Sequence, residues 1–216
     1  MKKKAIIAVV VFVGFYGALY FWNREEQSIE NHPTIHSAAA KPDDYLLEAK
    51  SFEKKQRHDK SAQSIEQAIQ AIWKLEKDVD DESFDRLEQA ISRLEVAHRK
   101  ILRDSISPKE LRSVFEYALG NLAHAELEVA EKYSRSNQSS EAHAALVYAQ
   151  LHIKNALILH NPNDMDDTTE VAYEEELLSR IDDLLNQEDM DQETYTASLD
   201  QLRKDLDQFI SQIEAE

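Results

Sequence analysis

Glu95 and His98 form the one Glu-x-x-His segment of this sequence, a spacing that could support metal chemistry. On a helix, residues three apart are neighbours on one face, and carboxylate-bridged metal sites take two ligands from one helix in this way. Di-iron bundles of that kind use two such segments and two further glutamates, whereas the residues three before His124 and His152 are Asn and Ala. Glu95 itself is expected at the rim of the apolar stripe of its helix, where Arg99 at i+4 can pair with it.

Two of the eight histidines, His98 and His160, lie in the middle of apolar helical stripes and are the candidate metal ligands. Counting outward from turns predicted near 105–106 and near 136 places both at nearly the same level of a helical bundle. Two core histidines on diagonally opposed helices could bind a metal ion, ligate a haem from both sides, or act as a pH switch. The alternative is that both are structural and hydrogen-bonded, or partly exposed at the end of the bundle.

The sequence contains no motif that indicates catalysis. A glycine-rich phosphate loop, a nucleophile elbow, His-Glu-x-x-His and a calcium-binding EF-hand loop are all missing. Cys is absent, which excludes disulfides, Cys-ligated zinc and thiol chemistry. His124 lies opposite the apolar stripe of its helix, so we expect it to be solvated. We predict no catalytic residues and no resident cofactor, with a metal ion or haem at His98 and His160 as the alternative.

Composition favours long helices and an acidic surface. Only 3 Gly and 4 Pro occur in 216 residues, so tight turns are few. The net charge of −17 is concentrated after residue 160, where 18 Asp and Glu face 3 Lys and Arg. Nucleic acid is an unsuitable partner, because phosphate binding needs clustered Lys and Arg. The acidic region instead favours basic partners.

Residues 5–22 predict a transmembrane anchor. They are 18 consecutive uncharged residues, and a helix of that length spans about 27 Å. Lysines in residues 1–4 predict a cytoplasmic stub by the positive-inside tendency, which places the rest of the chain outside the cytoplasm, in the periplasm if the source is bacterial. A cleaved signal peptide is the alternative, although bulky aromatic residues occupy the place of a small-x-small cleavage site. Gly14 and Ala18 could pack two anchors into a homodimer.

The remaining chain is predicted to be all-α. Residues 23–42 have no apolar periodicity and predict a linker. Residues 43–160 predict an up-down antiparallel bundle, because the breaks at Asp80, before Ser107 and at Asn137 are short. Ser107 is followed by Pro and, three residues on, by Glu, which predicts an N-cap. Four strong segments carry the helical pattern, at about 62–79, 82–103, from 107 onward, and 138–160. A repeat solenoid is the alternative, but no repeat of constant length occurs.

Residues 163–216 predict an acidic C-terminal helical hairpin. Its last helix has a regular apolar seam, which we consider a candidate partner-binding face: Tyr195, Leu199, Leu202, Leu206, Phe209 and Ile213. The seam could instead pack back on the bundle.

Together these features predict a single-pass membrane protein that acts as an extracytoplasmic helical scaffold or adaptor. Its partners would be other envelope proteins, helical or basic, bound by the acidic hairpin. The alternative function is a metal- or haem-binding, or pH-sensing, envelope protein that uses His98 and His160.

Overall fold

The computed structural model describes residues 36–75, 79–160, 168–187 and 190–215, and every regular element in them is a helix. The all-α class predicted from the sequence is confirmed. In chain order the helices are α1 (His36–Ala39), α2 (Lys41–Lys54), α3 (His58–Leu75), α4 (Asp81–Ile101), α5 (Pro108–Arg135), α6 (Ser139–Leu159), α7 (Thr168–Asn186) and α8 (Gln192–Ala215).

Local capping chemistry explains where these helices begin and end. The Ser107 side chain accepts a hydrogen bond from the Glu110 backbone N–H at 3.1 Å, and Asp80 accepts one from Ser83 N–H at 2.9 Å. Each bond satisfies an N–H that the first helical turn leaves without a partner. Asp104 and Asn137 follow helix ends with φ of 50° and 58°, a left-handed conformation that Asn and Asp tolerate.

Side-chain contacts establish how the helices are oriented. Along α4 and α5, Tyr117 bonds Gln89 at 3.2 Å and Lys100 bonds Glu110. The residue number falls on one helix as it rises on the other, so the two are antiparallel. By the same criterion α8 is antiparallel to α5, because Ser134 contacts Thr196 at 2.8 Å whereas Gly120, earlier on α5, lies next to Ile210, later on α8.

Helix α5 occupies the centre, because it packs on α4, α6 and α8. It therefore buries side chains around its whole circumference, as a helix surrounded by protein must. Gly120 gives α8 close access, since a Cβ at this position would lie 3.0 Å from Ile210 Cγ1. The largest fully buried apolar side chains come from α2 to α6: Leu46, Ile65, Ile72, Leu87, Leu94, Ile101, Phe115, Tyr117, Leu119, Leu122, Leu127 and Leu146.

Part of the predicted linker is helical, and one prediction lies outside the described residues. Residues 36–42 were predicted as the end of a linker, yet α1 and the start of α2 make most of them helical. The bundle and the C-terminal hairpin belong to one compact unit, Ala38–Glu216. The predicted stub at 1–4 and anchor at 5–22 are outside the described residues, and no described helix is both long and apolar enough to cross a membrane.

Candidate functional site

A surface groove between α3 and α4 is the candidate functional site. The core-facing side of α3 buries Ile65 and Ile72 completely. The adjacent side of α3 carries five residues at positions i, i+3, i+4, i+7 and i+8, counted from Glu66 to Lys74. This spacing forms one continuous helical face. This face and the neighbouring face of α4 line the groove with Glu66, Ile69, Gln70, Trp73, Lys74, Glu95, His98 and Arg99.

Trp73 is the most informative residue of the groove, because 51% of it is exposed. Tryptophan is highly buried on average in folded proteins, and exposed Trp is enriched among the residues that dominate binding energies. Val96 and Leu102 are also exposed, on α4 and at its C-cap. Leu102 follows His98 by four residues and so continues the same side of α4. Val96 is two residues from His98 and therefore faces another side of α4, so Trp73 and Leu102 are the residues that expose apolar surface on the groove side.

The charges that line the groove are balanced. Glu66 and Glu95 face two basic residues, Lys74 and Arg99. The Arg99 guanidinium lies 3.9 Å from the Glu95 carboxylate, which confirms the i+4 pairing predicted from the sequence. The whole chain carries −17, so the groove is a locally neutral region on an acidic protein. A ligand with few or mixed charges meets little repulsion there.

The structure places His98 and His160 in different environments. His98 is half-buried and lines the groove against α3. His98 lies beside the buried stripe of α4 and does not belong to it. The stripe is completed by Ala97, which is 1% exposed. His160 is buried at the C-cap of α6, between α5 and α7. The apolar stripes of the sequence did not distinguish these two environments.

His160 lies among charged groups of both signs. Its Nε2 is 2.9 Å from Glu174 Oε2 and 3.5 Å from Glu116 Oε1. Arg112 Nε is 3.3 Å from the same Glu116 oxygen. The Arg112 guanidinium therefore supplies positive charge beside the buried Glu116 carboxylate. Within the described ranges, no group of three or more His, Cys, Asp and Glu side chains has an arrangement that could hold a metal ion.

The apolar seam of α8 is buried within the same chain. Leu199 and Leu206 have no exposed surface, and Phe209 stacks on Tyr173 of α7 with ring centroids 5.6 Å apart. Tyr195 is partly buried against the same core. The seam suggested as a partner-binding face is therefore covered by the bundle, because a helical hairpin cannot bury two apolar stripes against itself alone.

His124 is fully buried, so the prediction that it is solvated was wrong. The reason is that α8 covers the side of α5 opposite its first apolar stripe. His124 Nε2 lies 3.2 Å from Asp207 Oδ1, and Arg86 Nη1 lies 3.0 Å from that oxygen. Burial lowers the pKa of His124 to about 3, helped by the positive charges of Arg86 and Arg203. His124 is thus neutral at physiological pH and serves the packing of α8.

A second buried polar cluster joins α2 to α6. Asp43 and His152 are 1% and 0% exposed. Because a carboxylate only accepts hydrogen bonds, His152 Nδ1 donates to Asp43 Oδ1, over 2.7 Å. Asn155 donates its amide to the other Asp43 oxygen at 2.7 Å. Buried ionic groups persist in proteins when they are paired in this manner.

Sequence reasoning missed Trp73, Asp43 and His152 as notable residues. Trp73 could have been found, because it falls outside the apolar stripe of its helix although tryptophan is large and apolar. Asp43 looked like an ordinary acidic residue in a first helical turn, and only the tertiary contact with His152 shows its role. Comparison of the chain with protein-family models, with curated proteins and with solved structures found no match.

Proposed function

We propose that this chain is a membrane-tethered extracytoplasmic helical adaptor, and that the groove between α3 and α4 docks an amphipathic helix of an envelope partner. The exposure of Trp73 inside a groove carries the proposal. The apolar, uncharged residues 5–22 support the tether, with the stub 1–4 in the cytoplasm and the bundle outside it. Because the apolar seam of α8 is buried within the chain, we assign the docking surface to the groove and not to the C-terminal hairpin.

The chemistry of the groove favours a helix as its occupant. A channel between two packed helices accepts a third helix, whose apolar side chains enter at i, i+3, i+4 and i+7. Ile69 and Trp73 are one turn apart and provide the apolar floor, while charges of both signs line the sides. The partner helix should therefore carry an apolar stripe flanked by both acidic and basic residues.

Replacing Trp73 by alanine is expected to weaken docking at least tenfold, because an aromatic anchor contributes about 2 kcal/mol or more to an interface. The fold should be nearly unaffected, since truncation of an exposed side chain changes stability by less than about 1 kcal/mol. A photo-crosslinking amino acid at Gln70 of the full-length chain, in its native membranes, would report occupancy of the groove. Peptide mapping of the adduct would show whether the occupant is helical and amphipathic.

Ile158→Ala is the matched control, because Ile158 is 61% exposed and lies outside the groove at the end of α6. It should leave the crosslink unchanged. The proposal is rejected if Trp73→Ala reduces the crosslink no more than this control does. A groove that captures only lipid, or nothing, in native membranes would also contradict it.

A further inference from the structure

One end of the bundle is formed by two turns, the first between α2 and α3 and the second between α4 and α5. His58, the first residue of α3, joins them. Its Nδ1 lies 3.2 Å from Glu53 Oε2 of α2, and its Nε2 lies 3.7 Å from Asp104 Oδ1 in the second turn. Gln56 and Asp104 have φ of 56° and 50°, a left-handed conformation in which helices commonly end. The two turns therefore form one surface.

This surface, which we call the basic end, carries five exposed basic side chains: Lys54, Lys55, Arg57, Lys60 and Arg103. Among the residues that the structure describes, none of these five forms an ion pair. Many basic residues on other parts of the bundle are paired, as Arg86 is with Asp207 at 3.0 Å and Lys204 is with Asp200 at 2.6 Å. Exposed basic groups without an internal partner are available to an anion from outside.

Helix stability explains only part of this basic charge. Basic side chains at the C-terminal ends of α2 and α4 stabilise the helix dipoles. Arg57, however, immediately precedes α3, and Lys60 is in its first turn, where a positive charge is unfavourable. Asp59 lies between them and can offset one of the two charges. Arg57 and Lys60 therefore indicate that this surface is basic for a reason other than helix stability.

The charge of the bundle changes sign from this end to the other. Three acidic residues share the basic end with the five basic ones: Glu53, Asp59 and Asp104. At the opposite end, where Gln192 donates to the Ser134 carbonyl at 2.7 Å, α4 and α8 begin with exposed acidic residues: Asp80, Asp81, Glu82, Asp191 and Glu193. A negatively charged surface therefore attracts the basic end and repels the opposite one.

The position at which the chain enters the bundle favours a membrane as that surface. Helix α2 has 14 residues and leads to the basic end over about 21 Å, whereas α5, with 28 residues, is about 42 Å long. The residues that precede α2 therefore join the bundle nearer to its basic end than to its acidic end. Leu102 is 53% exposed beside Arg103, and apolar side chains next to basic ones are typical of surfaces that bind membranes.

We propose that the basic end lies against the headgroups of anionic phospholipids in the membrane that holds the chain. Each Lys or Arg near such a surface strengthens the attachment by about fivefold, the equivalent of about 1 kcal/mol. The inference rests on the tether of the proposed function, and it adds how the bundle is oriented. Trp73 follows His58 by 15 residues along α3, so the groove is about 22 Å from the lipid surface and remains open to a partner.

The full-length chain in lipid vesicles, labelled with a single fluorophore, tests the proposal. The chain has no Cys, so Ser105→Cys places the fluorophore at the basic end and Ser136→Cys places it at the opposite end. The two serines are matched, because both are exposed and donate to a lysine carbonyl after a helix, at 3.2 and 3.0 Å. Quenching by a lipid with a nitroxide on its headgroup acts at short range and reports contact of the labelled end with the membrane.

The ratio of contacting to non-contacting chains, measured at Ser105→Cys, should be at least about tenfold higher with phosphatidylglycerol mixed into phosphatidylcholine than with phosphatidylcholine alone. The difference should disappear at 1 M salt, where the Debye length falls to about 3 Å. The label at Ser136→Cys should show no increase. Equal contact of Ser105→Cys with both kinds of vesicle at low salt overturns the proposal.

Arg57→Gln should lower that ratio about fivefold, because it removes one positive charge from the basic end. Lys132→Gln is the matched control, since Lys132 is also exposed but lies near Ser136 at the opposite end; it should leave the ratio unchanged. Equal effects of the two substitutions contradict the proposal. Binding of soluble polyglutamate to the basic end, without a response to anionic vesicles, would identify a protein segment as the anion and overturn the proposal.

An anion within the chain is the remaining alternative. Asp164, Asp166 and Asp167 lie between α6 and α7 in the sequence, outside the described residues. A response to anionic lipid that appears only after these three residues are replaced by Asn would show that they neutralise the basic end, and would overturn the proposal.

Flotation of the chain with phosphatidylcholine vesicles at 1 M salt measures the tether alone. A chain that floats, but whose Ser105→Cys label does not respond to anionic lipid, overturns the present inference and leaves the tether in place. A chain that does not float overturns the tether. Salt-sensitive binding of that chain to anionic vesicles would still support the basic end as a lipid-binding surface, and absence of such binding would overturn it.

Discussion

Replacing Asp43 by alanine is expected to lower the free energy of unfolding by about 3–5 kcal/mol, the range found when one partner of a buried ion pair is removed. The carboxylate is 1% exposed and accepts hydrogen bonds from His152 and Asn155, both over 2.7 Å. Its loss leaves the imidazole with no partner for either nitrogen and the amide without an acceptor. Denaturant unfolding of the full-length chain at pH 6 measures the effect.

Asp44→Ala is the control for this substitution, because it removes the same group one residue further along the same helix turn. Asp44 is exposed, so its loss should cost less than about 1 kcal/mol, mostly through the helix dipole. A double replacement of Asp43 and His152 by leucine should recover much of the loss, since removing both partners leaves no buried charge. Equal costs for Asp43→Ala and Asp44→Ala would show that the pair contributes nothing to stability.

Helix starts and stops could be predicted from the sequence because their causes are local. Ser107 caps α5 through an N–H only three residues away. Asn137 ends a helix because its side chain tolerates the left-handed conformation. The apolar periodicity of α3 to α6 could be predicted for the same reason, because its repeat spans only one or two helical turns. Interactions of this range are encoded in adjacent residues.

The side on which a residue meets its neighbours could not be predicted in the same way. His124 looked solvated because only one stripe of α5 is clearly apolar, but α8 covers its other side. Asp43 and His152 are 109 residues apart in the chain. No periodic pattern connects residues that far apart, so their pairing appears only when the helices are assembled.

Replacing Phe209 by alanine is expected to destabilise the fold by about 3–5 kcal/mol, the range for removal of a buried aromatic side chain. Phe209 is 2% exposed and stacks on Tyr173, with the two ring planes inclined by 8°. Its removal opens a cavity where α7 and α8 meet the bundle, and the neighbouring helices can close that cavity only in part. Thermal or denaturant unfolding of the full-length chain gives the change directly.

The same substitution measures how strongly the packing of the α8 seam within the chain stabilises the fold. Gln208→Ala is the control, because Gln208 precedes Phe209 and is exposed; its cost should lie within about 0.5 kcal/mol of zero. Packing within the chain requires a large loss of stability for Phe209→Ala and a small one for Gln208→Ala. If Phe209→Ala leaves stability unchanged but abolishes capture of an envelope partner, the seam is a docking face. That result would contradict the assignment of the docking surface to the groove at Trp73, because the larger apolar area of the seam would then bind the partner.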